Sequence, residues 1–173
     1  MAGKIILVHG ASSSGKSTLC RALHAALDEP FWHFSIDHLR DAGVLPSERT
    51  RSGEFPWALQ RTAFFDGFHA CLPVLAEAGN NLIVEHIVET EEWRERLVRT
   101  LAPFDTFFVS VRCPLPELER RERERGDRPP GDARRDFETL PKWGIFDLEI
   151  DSTLTVEQNV AALLQAWKAR EEK

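Results

Sequence analysis

The chain has 173 residues, of which 42% are hydrophobic, and a formal net charge of -6. This length suits one domain with a sizeable core, and we expect a single domain over residues 1–173. The negative charge argues against a nucleic-acid binder with a broad basic face, and no apolar run is long enough to predict a membrane span.

Residues 10–17, GASSSGKS, follow a short aliphatic strand predicted over residues 4–8. They match the pattern of a phosphate-binding loop: Gly, four residues, Gly, Lys, then Ser or Thr. The backbone N–H groups of such a loop surround phosphate oxygens, Lys16 reaches the β- and γ-phosphates, and Ser17 offers a hydroxyl to Mg²⁺. An amphipathic helix follows and directs its positive dipole end at the anion. The predicted nucleotide site consists of Gly10, Ala11, Ser12, Ser13, Ser14, Gly15, Lys16, Ser17 and Thr18.

The three cysteines, Cys20, Cys71 and Cys113, are widely spaced and contain no CxxC pair. We expect them to be buried free thiols rather than metal ligands or catalytic groups. Free thiols favour a reducing compartment, so the sequence predicts a cytoplasmic protein.

A second strand is predicted over residues 31–36, with Asp37 directly after it. Ligands of parallel sheets bind at the carboxyl ends of the strands, which places Asp37 where chemistry is expected. Asp is also a favoured N-cap, so Asp37 could instead cap the helix that follows. The residues alone leave both roles open.

Residues 43–56 are rich in Pro, Gly and Ser and are predicted to form a loop, followed by a longer helix. One face of that helix is expected in the core, and it carries Phe64, Phe68, Cys71, Leu72 and Leu75. Trp57, Arg61 and Phe65 lie off that face and are candidates for the wall of a cleft.

Residues 82–85 are predicted to form the third strand, which ends in Glu85 and is followed by His86. In a phosphate-loop protein this position usually holds the acid that orients Mg²⁺. We therefore expect Glu85 to act with Ser17 at the metal, although a strand-end Glu can also simply face solvent. His86 could contact the substrate or fill space.

The second half of the chain predicts a charged helix over residues 89–101, a fourth strand over 106–111 and a helix that begins at Pro114–Pro116. The segment over residues 117–128, which continues this helix, contains five arginines and five acidic residues. Arginine binds phosphate with a planar fork and stacks on bases. The sequence thus predicts a mobile Arg-rich lid over about residues 115–136, against the alternative of a plain surface helix.

A fifth strand is predicted over residues 145–151, and the last helix begins at Thr155. Strands that alternate with helices throughout indicate an α/β protein with a parallel sheet covered on both faces.

The chain resembles the chloramphenicol phosphotransferases, small P-loop kinases akin to shikimate and nucleoside-monophosphate kinases. The resemblance covers most of the chain and depends on the phosphate loop, its spacing to Asp37, and the RGDR sequence of residues 125–128. It implies a P-loop kinase fold with a five-stranded parallel sheet, the cofactors ATP and Mg²⁺, and phosphorylation of a hydroxyl on a small molecule. It also implies that Asp37 is the base on that hydroxyl.

These inferences predict an ATP:alcohol phosphotransferase whose acceptor is a small molecule, with an antibiotic such as chloramphenicol as one candidate. Lys16 and Asp37 are the expected catalytic residues, together with Arg125 and Arg128, which close over the transferring group. Arg121 is expected nearer the adenine. The acceptor is expected to contact Asp37, Glu85, His86, Trp57 and Arg61. The competing classes are a P-loop ATPase, a switch-type NTPase and a non-catalytic nucleotide-binding module.

Overall fold

The structure is a computed structural model that describes residues 1–126, 130–141 and 146–170. The strands in this part of the chain form one five-stranded parallel sheet in the order β2-β3-β1-β4-β5. The strands are β1 (Ile5–His9), β2 (Phe31–Ser35), β3 (Asn81–His86), β4 (Thr106–Arg112) and β5 (Leu148–Asp151). The predicted α/β class and parallel sheet are therefore confirmed.

Helices connect the strands and cover both faces of the sheet. They are α1 (Lys16–Ala26), α2 (Ile36–Asp41), α3 (Ser47–Arg51), α4 (Trp57–Glu77), α5 (Glu91–Leu101), α6 (Leu115–Arg125), α7 (Asp132–Thr139) and α8 (Val156–Lys168). Among the described residues, no helix is both long and apolar enough to cross a membrane.

The central strand β1 is fully buried because each of its faces belongs to a separate hydrophobic cluster. Ile6 and Val8 pack in the cluster that contains residues of α1 and α8. Ile5 and Leu7 point to the opposite face and pack in the cluster that contains residues of α4 and α5. This alternation of side chains is typical of a strand that is buried on both faces of a sheet. Because β1 is the middle strand, the loop that follows it lies at the middle of the carboxyl-end edge of the sheet.

The bounds of several predicted elements differ from the observed ones, among them the following three. The second strand ends at Ser35, and Ile36 already begins α2. The expected loop over residues 43–56 contains the short helix α3. The fifth strand begins at Leu148 rather than at residue 145, and residue 145 itself lies outside the described residues.

The predicted inner face of α4 is rotated from the observed one. Phe65 is buried, whereas Cys71 is exposed. The inner face of α4 consists of Phe65, Phe68, His69, Leu72 and Ala76. Because His69 is polar, hydrophobic periodicity alone placed the face one residue away from its true position. The expectation of a buried thiol is correct for Cys20 and Cys113 and wrong for Cys71.

Candidate functional site

The phosphate loop connects the central strand β1 to α1. Gly15 has φ of 95°, a left-handed conformation that favours glycine. At Gly10 a Cβ atom would lie 2.7 Å from the carbonyl oxygen of Val111, so the close approach of β4 also requires glycine. Ser14 Oγ is buried without a hydrogen-bond partner among the described residues. A buried polar loop with an unsatisfied hydroxyl is suited to an incoming polar ligand.

Lys16 lies under this loop, 6% exposed, and its Nζ donates to the carbonyl oxygen of Ala11 at 2.7 Å. Burial lowers the pKa of Lys16 from its ordinary value, and the carboxylates of Glu85 and Asp136 oppose that shift. The ammonium group is thus held at the loop by electrostatic attraction and by one backbone acceptor.

Glu85 joins three elements at the carboxyl ends of the strands. Its Oε1 accepts a hydrogen bond from Ser17 Oγ of α1, and its Oε2 is 3.0 Å from Nε2 of His33 on β2. Burial by itself would raise the pKa of Glu85, but these two hydrogen bonds and the charge of Lys16 outweigh it, so the pKa lies below its ordinary value. Glu85 is therefore a buried carboxylate held ionised beside the hydroxyl of Ser17.

Asp37 occupies the first turn of α2, and the N-cap of that helix is Ser35. The side chain of Ser35 accepts from the backbone N–H of Asp37 at 3.2 Å. The alternative role of Asp37 as N-cap is therefore wrong. Its carboxylate is partly exposed and forms an ion pair with Arg40 at 3.0 Å.

These groups border one cavity of about 900 Å³. Its walls come from the phosphate loop, α1, the ends of β2 and β3, and helices α2, α4, α6 and α7. Of the residues predicted for the site, the lining includes Ser12, Ser13, Gly15, Lys16, Ser17, Thr18, Asp37, Trp57, Arg61, Glu85, His86, Arg121 and Arg125. The loop residues Gly10, Ala11 and Ser14 lie outside this lining, and Arg128 lies outside the described residues.

Arg61 lines the cavity beside the aromatic side chains of Trp57 and Phe65. Its guanidinium lies 4.8 Å from the ring centroid of Phe65 and 5.3 Å from that of Trp93, and it forms an ion pair with Glu89. Trp57 packs edge-on against Phe64 nearby. This part of the cavity offers flat apolar surface together with a fixed charge pair, which suits an acceptor with both apolar and polar groups.

Three buried histidines, His9, His69 and His86, lie at or near the cavity, and His86 belongs to its lining. The Nε2 atoms of His69 and His86 are 2.9 Å apart, and the Nδ1 atoms of both have no partner among the described residues. Burial lowers the pKa of His86 well below its ordinary value, that of His69 to about 4 and that of His9, with the help of Lys16, to about 3. All three imidazoles are therefore neutral at pH 7.

We expect the fold to lose roughly 2 kcal/mol of stability for each of His9 and His69 between pH 7 and pH 5. In the unfolded chain these groups take up protons as the pH falls through about 6.5, whereas in the folded chain they stay neutral until about 3 and about 4. Stability is thus full above the unfolded pKa and declines below it. Urea unfolding at both pH values measures the effect. His69→Gln should reduce the difference, and an unchanged difference in that variant contradicts the prediction.

Helix α6 places Arg121 against the phosphate loop. Its Nη1 donates to the carbonyl oxygen of Ser14 at 3.3 Å, and its Nη2 donates to the carbonyl oxygen of Ser152 at 2.7 Å. Arg121 therefore bridges the loop and the segment between β5 and α8. Helix α6 ends at Gly126, its left-handed C-cap with φ of 62°.

Helix α7 and its contact with the phosphate loop were not predicted from the sequence. Asp136 is 2% exposed, and its Oδ2 accepts from the backbone N–H of Ser12 at 2.8 Å. Glu122 of α6 accepts from the backbone N–H groups of Gly131 and Ala133, at 2.9 and 2.8 Å, and so fixes the start of α7. The contact of His33 with Glu85 was likewise not predicted from the sequence. An Asp or His distant in sequence carries no local pattern that would reveal either contact.

A phosphate loop after the central strand β1 of a parallel sheet, with Glu85 near the end of β3 and Asp37 directly after β2, is the arrangement of the P-loop kinase fold. Solved structures agree. The Mycobacterium tuberculosis APS kinase in complex with AMPPNP and APS superimposes with a TM-score of 0.72 at 20% identity, covering 96% of this chain and 98% of that one. A gluconokinase from Sinorhizobium meliloti 1021 gives 0.69 at 19% identity, covering 99% and 94%.

The chain belongs to the chloramphenicol phosphotransferase-like protein family, whose model matches residues 3–168. A Mycobacterium tuberculosis relative named "Putative O-phosphotransferase" is 29% identical over 182 residues, covering 92% of this chain and 79% of the relative. The protein is thus a P-loop phosphotransferase that acts on a small molecule, and the resemblance seen in the sequence is confirmed.

Proposed function

We propose that this protein transfers the γ-phosphate of ATP, with Mg²⁺, to a hydroxyl group of a small molecule, and that an antibiotic such as chloramphenicol is the first acceptor to test. One observation carries the proposal: Lys16, the Ser17–Glu85 pair and Asp37 line the same cavity of about 900 Å³. A nucleotide, its metal and an acceptor need these three groups in one place.

The phosphate loop fits the phosphates of ATP. Its left-handed Gly15, its buried Lys16 and the unsatisfied Ser14 hydroxyl form a polar concavity at the N-terminus of α1. The fold relative in complex with AMPPNP supports a nucleotide at this kind of site. We assign the backbone N–H groups of residues 11–16 to the β-phosphate and the Lys16 ammonium to the bridge towards the γ-phosphate.

Ser17 and Glu85 fit Mg²⁺, because a hydroxyl and an ionised carboxylate in contact are oxygen ligands of the kind that this ion takes. When bound, Mg²⁺ neutralises charge that develops on the phosphate oxygens. The chain's own part is to hold the carboxylate ionised and oriented, which His33 does from the adjacent strand.

Asp37 is assigned to the acceptor hydroxyl. It lines the cavity at the start of α2, directly after β2, which pairs with the strand that carries Glu85, and its partial exposure leaves room for a substrate group. A loose phosphoryl-transfer transition state needs little base strength. Asp37 therefore orients the hydroxyl first and accepts its proton late.

Residues 115–136 are assigned as the lid of a single domain that spans residues 1–173. Arg125 lines the cavity from the end of α6, and we assign it and Arg128 to the transferring phosphoryl group. Lid closure would exclude water and so suppress ATP hydrolysis. A binding-only module would need neither the carboxylate of Asp37 nor arginines that line the cavity.

The proposed function is tested with one panel. The full chain is incubated with ATP, Mg²⁺ and a set of hydroxyl-bearing antibiotics and metabolites that begins with chloramphenicol, and phosphorylated products are identified by mass spectrometry. The expected result is a phosphorylated acceptor. ATP hydrolysis that is equally fast with and without every acceptor would favour the ATPase alternative, and nucleotide binding without turnover would favour the binding module.

Arg121→Ala should weaken ATP binding about tenfold and change turnover less. It removes charge-assisted hydrogen bonds, worth about 1.5–3 kcal/mol in a typical case, from the nucleotide side of the site. Isothermal titration with ATP and steady-state kinetics separate the two effects. Arg120→Ala is the matched control, because Arg120 pairs with Glu117 and Glu124 on the exposed side of α6. Equal small effects in both variants would make Arg121 part of a solvated surface.

Asp136→Asn should tighten ATP binding roughly threefold to tenfold. The Asp136 carboxylate accepts from a phosphate-loop N–H and lies near Lys16, so it opposes an incoming anion. Asn keeps an acceptor oxygen without the charge. Asp132→Asn is the control, since Asp132 pairs with the same Arg135 but does not contact the loop. Weaker binding in Asp136→Asn would show that the carboxylate serves the nucleotide complex.

A further inference from the structure

Cys20, His33 and Glu85 form a cluster of three potential metal ligands under the α1 side of the cavity. One donor atom from each residue lies within 4.8 Å of the other two. Cys20 follows Ser17 by three residues, so both side chains lie on one face of α1. His33 comes from β2 and Glu85 from β3, which pairs with it. Three separate elements thus direct an S, an N and an O donor to one point.

The cluster is buried but reachable. Cys20 is fully buried, and the side chains of His33 and Glu85 are 10% and 8% exposed. His33 and Glu85 line the cavity, so an ion can enter from there, with Cys20 behind them. Bonds of about 2.0–2.3 Å to a tetrahedral ion put the ligand atoms roughly 3.5 Å apart. The Cys20 thiol, within 4.8 Å of the other two donors, therefore has to approach them by about 1 Å, whereas Nε2 of His33 and Oε2 of Glu85, 3.0 Å apart, separate slightly. Side-chain rotation supplies a movement of that size.

The donor set selects a different ion from the one at Ser17. Thiolate, imidazole and carboxylate are the protein ligands of Zn²⁺, whereas Mg²⁺ takes oxygen ligands in octahedral geometry. Soft sulfur donors favour Zn²⁺ and related transition metals over Mg²⁺. The chemistry of this cluster is therefore that of a borderline-soft divalent cation.

We propose that Cys20, His33 and Glu85 bind such a cation, Zn²⁺ or an ion of similar chemistry, with water as the fourth ligand, and that this ion excludes productive Mg²⁺ binding. The thiol proton of Cys20 passes to solvent as the metal–sulfur bond forms. Glu85 contacts both His33 and Ser17. When the carboxylate of Glu85 binds the cation beside Cys20, it is no longer available as a ligand for Mg²⁺ at Ser17.

Exclusion of Mg²⁺ rests on the proposed function, whereas binding of the cation does not. Binding is therefore tested first and without catalysis. Co²⁺, which takes the same ligands as Zn²⁺ and gives a thiolate charge-transfer absorption, is titrated into the full chain without nucleotide or Mg²⁺ and with a phosphine reductant. The parent should give a saturable thiolate band that Zn²⁺ abolishes.

Variants locate the ligands. Cys71→Ala removes the exposed thiol and should keep the band, whereas Cys20→Ala should lose it. His33→Gln should weaken Co²⁺ binding by at least about tenfold. Circular dichroism shows whether Cys20→Ala folds. If it does not fold, the His33→Gln variant decides whether this cluster binds the ion. No band in the parent, or a band that survives in Cys20→Ala, overturns the proposal.

The exclusion of Mg²⁺ is tested with any acceptor that the panel yields. Zn²⁺ should inhibit transfer by the parent, and at least about tenfold more Zn²⁺ should be needed for Cys20→Ala, whose activity without Zn²⁺ should match the parent. Equal inhibition of both would overturn the sharing of Glu85. If no acceptor is found, the proposed function fails while the Co²⁺ titration still decides whether the site exists.

Discussion

Asp37→Asn is expected to lower phosphoryl transfer by about 10²–10⁴-fold, the usual contribution of a positioned general base. The amide keeps the size of the side chain and one acceptor oxygen, but it cannot take the hydroxyl proton. Ser35 caps α2, so the helix does not depend on the charge of residue 37. ATP affinity and thermal stability should therefore stay near the parental values.

The matched control for this variant is Asp41→Asn. Asp41 lies in the same helix, lines the same cavity and contacts the same Arg40, at 3.2 Å. If the loss in Asp37→Asn came only from a freed Arg40, both variants should lose activity alike. The measurement is turnover of the best acceptor from the panel, with ATP binding by titration. Transfer by Asp37→Asn at the parental rate would refute the assignment of Asp37 as the base.

Lys16→Ala is expected to lower phosphoryl transfer by about 10²–10³-fold, which corresponds to roughly 3–4 kcal/mol of transition-state stabilisation. The ammonium is buried under the phosphate loop beside Glu85 and Asp136. Its removal takes away the positive charge nearest the reacting phosphates. The left-handed Gly15 and the close approach at Gly10 set the path of the loop, and the variant loses only the hydrogen bond from Lys16 to Ala11 there, so the protein should remain folded.

Removal of Lys16 also takes a positive charge away from two buried carboxylates, Glu85 and Asp136, so stability has to be measured together with activity. The control is Lys168→Ala, which removes an exposed lysine that pairs with Asp28 on the surface and should change neither quantity. Circular dichroism and urea unfolding establish the folded state before kinetics. A folded Lys16→Ala variant with near-parental transfer would exclude Lys16 from the chemistry.

The sequence by itself determined the phosphate loop and the parallel α/β fold. The loop is a contiguous pattern, so its glycines, Lys16 and Ser17 are recognisable without any knowledge of the fold. The strands were found because a parallel strand buried on both faces is a continuous aliphatic run, as in residues 5–8. From these two features it also followed that Asp37 and Glu85 lie at one edge of the sheet.

Only the tertiary structure decided which side chains meet at that edge. The contacts of His33 with Glu85 and of Asp136 with Ser12 join residues that are far apart in the chain, and so does the placement of the Cys20 thiol within 4.8 Å of donor atoms of His33 and Glu85. Likewise, Ser35 rather than Asp37 caps α2 because the strand ends one residue early. Periodicity and short motifs report local conformation, whereas these contacts depend on strand order and side-chain direction, which packing of the whole chain sets.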